Sequence, residues 1–152
     1  MTRPSGTQGA LGMSMRFAVR VDGISLGNWS SCKGLEFSCK IHKIREHGSY
    51  DFEHILFADV EYKVVKLERA VDSTSSMQLR TWLKTTLASQ PGAAALSSGK
   101  TALITLLDSS WRPVTTWTLR GVYPAGWTGP SLSAKESVVA IERLELQHEG
   151  FL

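Results

Sequence analysis

From residue 17 onward the chain alternates polar and apolar side chains with a period of two, interrupted by a few turn residues. Phe17, Val19 and Val21 fall in phase, and their run stops at Asp22-Gly23, a pair that predicts a tight hairpin turn. A second short run holds Leu26 and Trp29 and is broken by Gly34. Residues 36–46 predict a longer strand, with Phe37, Cys39 and Ile41 on one face and Ser38, Lys40 and His42 on the other. Ile44 falls out of phase, which predicts a bulge or bend there. Residues 48–59 show no clean period and read as a long loop. Residues 60–69 read as a second long strand, Val60, Tyr62 and Val64 facing away from Glu61 and Lys63, with the phase unsettled at Val65 and Leu67.

The period then changes. Asp72-Ser-Thr-Ser75 offers several capping oxygens, and Ser75-Ser-Met-Gln78 matches a capping box. Leu79, Trp82, Leu83, Thr86 and Leu87 recur at three- and four-residue intervals, which predicts a helix of about four turns. Gln90-Pro91-Gly92 ends it, and residues 93–100 read as a small polar loop. Residues 101–107 and 114–122 flank a turn-rich link and predict a hairpin. Residues 123–135 hold Pro124, Gly126, Gly129 and Pro130 and read as a shaped connection. Residues 137–148 predict the last strand, Ala140, Glu142, Leu144, Leu146 and His148 on one side and Val139, Ile141, Arg143, Glu145 and Gln147 on the other. Six or seven strands with one helix, and no alternation of strand and crossover helix, predict a mainly β, antiparallel α+β domain.

Composition bounds this picture without giving it a function. The 152 residues fit one domain, 42% hydrophobic and 20% charged, so bulk disorder is excluded. The net charge of +3 is too small to imply a nucleic-acid or membrane partner. Residues 1–14 lack periodicity and read as a flexible tail; their apolar residues Ala10, Leu11 and Met13 are too few for a secretory signal. Cytoplasmic assembly and free thiols at Cys32 and Cys39 are therefore expected.

Motifs for chemistry are missing. The sequence holds no G-x-S-x-G, no P-loop and no G-x-G-x-x-G. His42 and His47 flank Lys43 and Arg45, a cationic setting that opposes a metal ion, and the two cysteines lie too far apart for a zinc ribbon. Glu142 and Glu145 point to opposite faces and cannot act as an acid/base pair. No enzyme, metal or cofactor is expected. The basic stretch 33–45 lacks exposed aromatics for stacking bases and reads as a solvated strand face. Of the five tryptophans, Trp82 lies on the helical stripe; Trp29, Trp111, Trp117 and Trp127 fall near strand ends and connections, where aromatics either pack or anchor one subunit in another.

The C-terminal pattern is more specific. Pro124-x-x-Trp127-x-Gly129-Pro130-x-Leu132-x-Ala134 leads into Val139-Ala-Ile-Glu142, Leu144-Glu-Leu146 and His148-Glu-Gly150. Together with Phe17-x-Val-x-Val-Asp-Gly23, Gly34-Leu35 after Trp29, Val65-x-Leu67-x-Arg69 before a Trp82-bearing helix, and Trp117, this resembles the tail-tube family of contractile phages and phage-derived contractile injection systems. The turn His47-Gly48-Ser49-Tyr50-Asp51 and the segment Phe57-Ala58-Asp59 depart from the Gly-Gly-x-Asn-like and Leu-Pro-Gly-like patterns that many members carry.

The resemblance implies a tail-tube domain over residues 15–152, with two packed antiparallel sheets forming a sandwich or partial barrel, a flanking helix, and strands that complete a barrel across the subunits of a ring. It implies a structural subunit: six-membered rings stack into a hollow inner tube, driven by sheath contraction, that conducts cargo. The implied partners are further copies of the chain, sheath protein, baseplate, hub and spike proteins and a tube terminator, with no membrane anchor. By alternation Ser38, Lys40, His42, Glu61, Lys63, Arg143, Glu145 and Gln147 are expected to face the lumen. Gly48, Ser49, Tyr50, Asp51, Phe52 and Phe57 are expected in a loop between rings. Phe17, Trp29, Phe37, Tyr62, Leu79, Trp82, Leu83, Trp117, Trp127, Leu144 and Leu146 are expected to pack in the core. The mixture of both charge signs on the lumen face favours a protein effector over DNA as cargo, since a basic lining would hold phosphate. Alternative readings are a tube-initiator or baseplate paralogue and, in another class, a monomeric β-barrel that binds a ligand.

Overall fold

A computed structural model describes residues 16–44, 48, 54–88, 100–135 and 139–152. Among them run nine strands and one helix: β1 (Arg16–Val21), β2 (Ile24–Trp29), β3 (Ser31–Lys33), β4 (Phe37–Ile44), β5 (His54–Tyr62), β6 (Val65–Ala70), α1 (Ser73–Ala88), β7 (Lys100–Leu107), β8 (Pro113–Thr128) and β9 (Ile141–Gln147). The tail at residues 1–14, the helix stop at Gln90-Pro91-Gly92 and residues 93–99 of the polar loop lie outside the described residues.

Seven strands form one antiparallel sheet in the order β2-β1-β7-β8-β9-β6-β3, and β4 and β5 form a separate two-stranded ribbon. The turn at Asp22 and Gly23 has φ of 49° and 77°, the left-handed pair that a two-residue hairpin requires. The large sheet curls on itself. Its end strands β2 and β3 follow each other in the chain, joined by Ser30, whose N–H and hydroxyl both donate to the Glu68 carbonyl at 3.0 Å. It stops short of a closed barrel. The concave face and α1 enclose the core, with Val19, Val21, Leu26, Trp29, Val65, Leu67, Leu79, Ile104, Leu119, Leu144 and Leu146 almost wholly buried.

Several sequence expectations need correction. Residues 123–135 are not all connection: β8 continues to Thr128, pairing with β7 up to Val122 and with β9 from Tyr123. Pro124 is tolerated because the ladder slips between Pro124 and Gly126, where a missing N–H matters least. The helix is capped by Asp72, not Ser75: its carboxylate accepts from the Ser75 N–H at 3.0 Å and its carbonyl from the Ser76 N–H at 2.9 Å. The Ser75 N–H, helped by the Ser75 hydroxyl, also holds the exposed Asp72 carboxyl below its ordinary pKa. Leu87, placed on the apolar stripe, is 59% exposed, while Ser76, Leu79, Trp82 and Thr86 form the buried face. The last strand runs over Ile141–Gln147 and leaves out Val139, Ala140 and His148, which the period-two pattern includes.

Residues 60–69 are not one strand, and residues 54–59 are not loop. The chain bends at Lys63 and Val64, so that β5 belongs to the ribbon and β6 to the sheet. Opposite the bend Gly34 has a φ of +92°, and a Cβ there would lie 2.1 Å from the Val64 carbonyl oxygen. The β3–β6 ladder therefore runs into the β4–β5 ladder through a joint that only glycine fits. Gly34→Ala should destabilise the domain by about 2 kcal/mol or more, from the left-handed backbone and the clash together. Urea denaturation checks this; a loss below about 0.5 kcal/mol would mean that the joint is not tight.

Candidate functional site

Every residue of the β4–β5 ribbon is exposed or half-buried. Cross-strand register sorts its residues into two faces. Phe37, Cys39, Ile41, Ile55, Phe57, Val60 and Tyr62 share one, with Lys43 opposite Ile55 toward the tip; Ser38, Lys40, His42, Asp59 and Glu61 share the other, with Ile44, His54 and Leu56 toward the tip. The bulge is not at Ile44. Lys40 pairs with Asp59 and Ile41 with Phe57, so Ala58 of β5 is the extra residue. That slip puts Ile55 and Phe57 back in phase with Val60 and Tyr62. Ile55/Phe57 and Val60/Tyr62 are two period-two runs offset by one residue, the local signature of a bulge in what has no single clean period.

The apolar face packs only at its base. Tyr62 lies 5.2 Å from Phe151, 5.5 Å from His148 and 6.2 Å from Phe37, ring centre to ring centre. Beyond that cluster the face meets solvent: Phe57 is 74% exposed, Ile55 56%, Val60 52% and Ile41 50%. Phe37, expected in the core, is 47% exposed, and Phe57, expected in a loop, lies on β5. Gly48 has a φ of +99° and open space around it; Ser49, Tyr50, Asp51 and Phe52 lie outside the described residues. Isolated soluble domains seldom leave such a contiguous apolar strip uncovered.

His148 joins the ribbon to the body. Its Nε2 donates to the Lys63 carbonyl at 2.9 Å, and burial pushes its pKa down. The unfolded chain protonates this ring near pH 6.5 while the folded chain resists, so stability is full above that pH and falls as pH drops toward the folded pKa. Between pH 7 and 5.5 unfolding free energy should fall by up to about 1.4 kcal/mol per pH unit, and His148→Gln should flatten that slope. Denaturation at several pH values reads it; an equal slope in the variant would assign the effect elsewhere.

The polar faces carry the charges expected at the lumen. Lys40 Nζ meets Glu61 Oε1 at 2.7 Å and Lys63 Nζ meets Glu36 Oε1 at 2.8 Å. On the outer face of β6 and β9, Arg143 Nε meets Glu68 Oε1 at 2.9 Å and Lys66 Nζ lies 4.0 Å from Glu145 Oε1. Ser38, His42 and Gln147 are exposed on these faces. Exposed pairs of this kind contribute little stability. Their effect is to cancel charge locally across the surface.

Behind this face lies a buried network of side chains from distant segments of the chain. Arg69 and Glu142, directly opposed on β6 and β9, pair at 2.7 Å with side chains 4% and 2% exposed. Arg69 also donates to the Leu26 and Ser75 carbonyls and lies 4.0 Å above the Trp29 ring. Glu142 accepts from Ser76 Oγ at 2.8 Å and Trp127 Nε1 at 3.3 Å. Trp127, expected in the core, is 40% exposed and shields this pair from one side. The signal was present: each charged residue stands in phase with buried apolar neighbours on its strand. Of the other expected core residues, Trp29, Leu79, Trp82, Leu144 and Leu146 are buried, and Phe17, Leu83 and Trp117 pack against them half-buried.

Nothing in this arrangement resembles a catalytic constellation. Among the described residues no three His, Cys, Asp or Glu side chains cluster as a metal site requires. Burial raises the Cys32 thiol to about 11, which leaves it protonated and unreactive at neutral pH. No helix among the described residues is long and apolar enough to cross a membrane.

The model of the family described as T4-like virus tail tube protein gp19 matches residues 13–152. No curated protein matches the sequence. Among solved structures, a chain of the PVC sheath-tube complex of an extracellular contractile injection system superposes with a TM-score of 0.68 at 20% identity, over 90% of this chain and 86% of that one. A chain of the anti-feeding prophage baseplate gives 0.64 at 24% identity, over 99% and 95%. Hcp1 from Salmonella typhimurium gives 0.54 at 14%, over 90% and 83%. At these identities the likeness is one of fold.

Proposed function

Because the chain belongs to the T4-like virus tail tube protein gp19 family, we propose that it is the repeating inner-tube subunit of a contractile injection system or contractile phage tail, with no chemistry of its own. Copies associate head to tail into a six-membered ring, and rings stack into a hollow tube that a contracting sheath drives forward. The observation that carries this reading is the ribbon, a two-stranded arm with one mostly apolar face left uncovered and one face on which Lys40 pairs with Glu61 beside Asp59. Such an arm is stable when a neighbouring copy covers the apolar face, and the polar face is then left for water in the bore. Strands β4, β5, β6 and β9 supply the bore, with Ser38, Lys40, His42, Glu61, Lys63, Arg143, Glu145 and Gln147 lining it, and residues around 48–52 bridge successive rings.

The lining pairs acid with base at Lys40–Glu61, Lys63–Glu36 and Arg143–Glu68. A lining that is neutral over short distances neither holds phosphate nor rejects it strongly, and it suits a folded or threaded protein cargo. The test is electron microscopy with native mass measurement of the purified chain. Six-fold rings or stacked tubes with a central bore support the reading, and a monodisperse monomer at high concentration overturns it in favour of a self-contained β-barrel. The near full-length likeness to the baseplate chain favours a second reading, a tube-initiator paralogue at the tube base. Copy number per particle separates the two, many rings against one.

A further inference from the structure

His148 stands where the ribbon leaves the body of the domain. It follows β9, and its side chain is 5% exposed. In the β6–β9 ladder Val65 pairs with Leu146, so by the same register Lys63 falls opposite His148. Lys63 sits at the bend between β5 and β6, and its carbonyl accepts the Nε2 hydrogen. Tyr62, which ends β5, and Phe151 flank the imidazole at 5.5 and 6.0 Å between ring centres. The site has little slack: a Cβ on Gly150 would lie 3.0 Å from the Tyr62 ring and 2.9 Å from Arg120 Nη2. At the other strand of the ribbon, the root is held by a long bond, Lys63 N–H to the Glu36 carbonyl at 3.3 Å. One histidine thus does much to fix the direction in which the arm leaves.

The surroundings suit only the neutral ring. Nδ1 is buried and makes no hydrogen bond. The nearby Gly150 carbonyl already accepts from the Arg120 N–H at 2.8 Å. The charged groups of the neighbouring elements are placed elsewhere or carry the wrong sign. Glu36 pairs with Lys63 Nζ at 2.8 Å, Glu149 lies over Gly121 of β8, and the Arg120 guanidinium of β8 adds positive charge beside Gly150. Tyr123 of β8 pairs with Gln147 and so points to the opposite face. Burial accordingly pushes the His148 pKa down, and the Lys63 and Gly150 carbonyls offset this only in part.

We propose that His148 is a proton-operated latch on the ribbon: neutral, it holds the arm in the direction that a neighbouring copy recognises, and protonated, it leaves its site and frees the arm, so that ring assembly depends on pH. This rests on the reading of the ribbon as the contact within the ring. A buried imidazolium would lack an acceptor at Nδ1, whereas a released one is solvated and titrates near its ordinary value of about 6.5. The latched arm binds fewer protons than the free arm, so latching is favoured at high pH and lost as pH falls below about 6.5. A neighbour that recognises only the latched arm binds in proportion to the fraction latched. One proton per arm limits the effect to about tenfold in each association constant per pH unit.

The test is the mass of the full chain by light scattering over a dilution series at pH 7.5 and 5.5, for wild type and His148→Gln. The Gln amide can donate to the Lys63 carbonyl and does not titrate. The concentration at half-assembly should rise about fivefold or more in wild type at pH 5.5 while circular dichroism stays that of the folded domain. In the variant the two values should agree within about twofold. Equal values in wild type overturn the inference and leave the tube reading standing. A rise of the same size in the variant overturns it by placing the proton elsewhere. Loss of mass together with loss of the folded signal overturns it too, since the whole domain and not the arm then opens. Should the variant not fold, hydrogen exchange in wild type decides. After correction for the intrinsic effect of pH, residues 62–64 should open at pH 5.5 ahead of β6 and β9, and opening in step with those strands overturns the latch. A wild-type chain that forms no ring at pH 7.5 strikes the tube reading itself, and this inference with it.

Discussion

Arg69→Met should lower the unfolding free energy by about 3–5 kcal/mol, because it leaves the Glu142 carboxylate buried without its partner. For a domain of this size that corresponds to a fall of roughly 10 °C in Tm. The reason lies in what the guanidinium holds. It pairs with Glu142 on β9, donates to a β2 carbonyl and to the Ser75 carbonyl in the first turn of α1, and stacks on Trp29. One side chain thus ties together β2, β6, β9 and the helix. The double variant Arg69→Met with Glu142→Leu should recover part of the loss, since two apolar groups leave no buried charge. It should not recover all of it, because the Leu26 carbonyl and Trp127 Nε1 lose partners. Thermal and urea unfolding of the three variants measure this. A loss below about 1 kcal/mol for the single variant would show that water reaches the pair and that the network is not a buried one.

Phe57→Glu should abolish ring formation while leaving the monomer folded. Phe57 is 74% exposed in the isolated chain, so the exchange touches no core and should change monomer stability by less than about 0.5 kcal/mol. In a ring whose neighbour covers the ribbon, the same exchange removes about 1.5–3 kcal/mol of apolar burial and forces a carboxylate out of water. Three kcal/mol is about a 150-fold loss in association constant at each contact, repeated around the ring. Size-exclusion chromatography with light scattering and electron microscopy should show rings for wild type and monomers for the variant. Lys40→Gln, on the other face of the same strand pair, should still assemble. Wild-type assembly by Phe57→Glu would remove the ribbon from the ring contact.

Much of this was legible along the chain because alternation is a local property. The β1–β2 turn at Asp22-Gly23, the β7–β8 hairpin and the two faces of β9 all follow from period-two patterning bounded by turn residues. The misreadings of strand phase share one cause. A bulge at Ala58, a bend at Lys63-Val64 and a slipped ladder at Pro124–Gly126 each shift the phase by a residue, and a one-residue shift exchanges the two faces. Phe37 is apolar and in phase, as a core residue would be; nothing local says that the core ends at Tyr62 and Phe151, leaving Phe37 at its border.

The sequence by itself determined the class of domain, the position of the helix, the strand faces wherever the phase is unbroken, and the lack of a recognisable catalytic motif. Those depend on neighbours within a few residues, whose side chains point where the backbone repeat sends them. Only the tertiary structure decided that Arg69 and Glu142, far apart in the chain, meet inside the sheet, that one strand serves both halves of it, and that β4 and β5 leave the body as an arm. Those depend on which distant segments pair, and pairing is settled by the register of whole ladders and by one glycine at the joint between them.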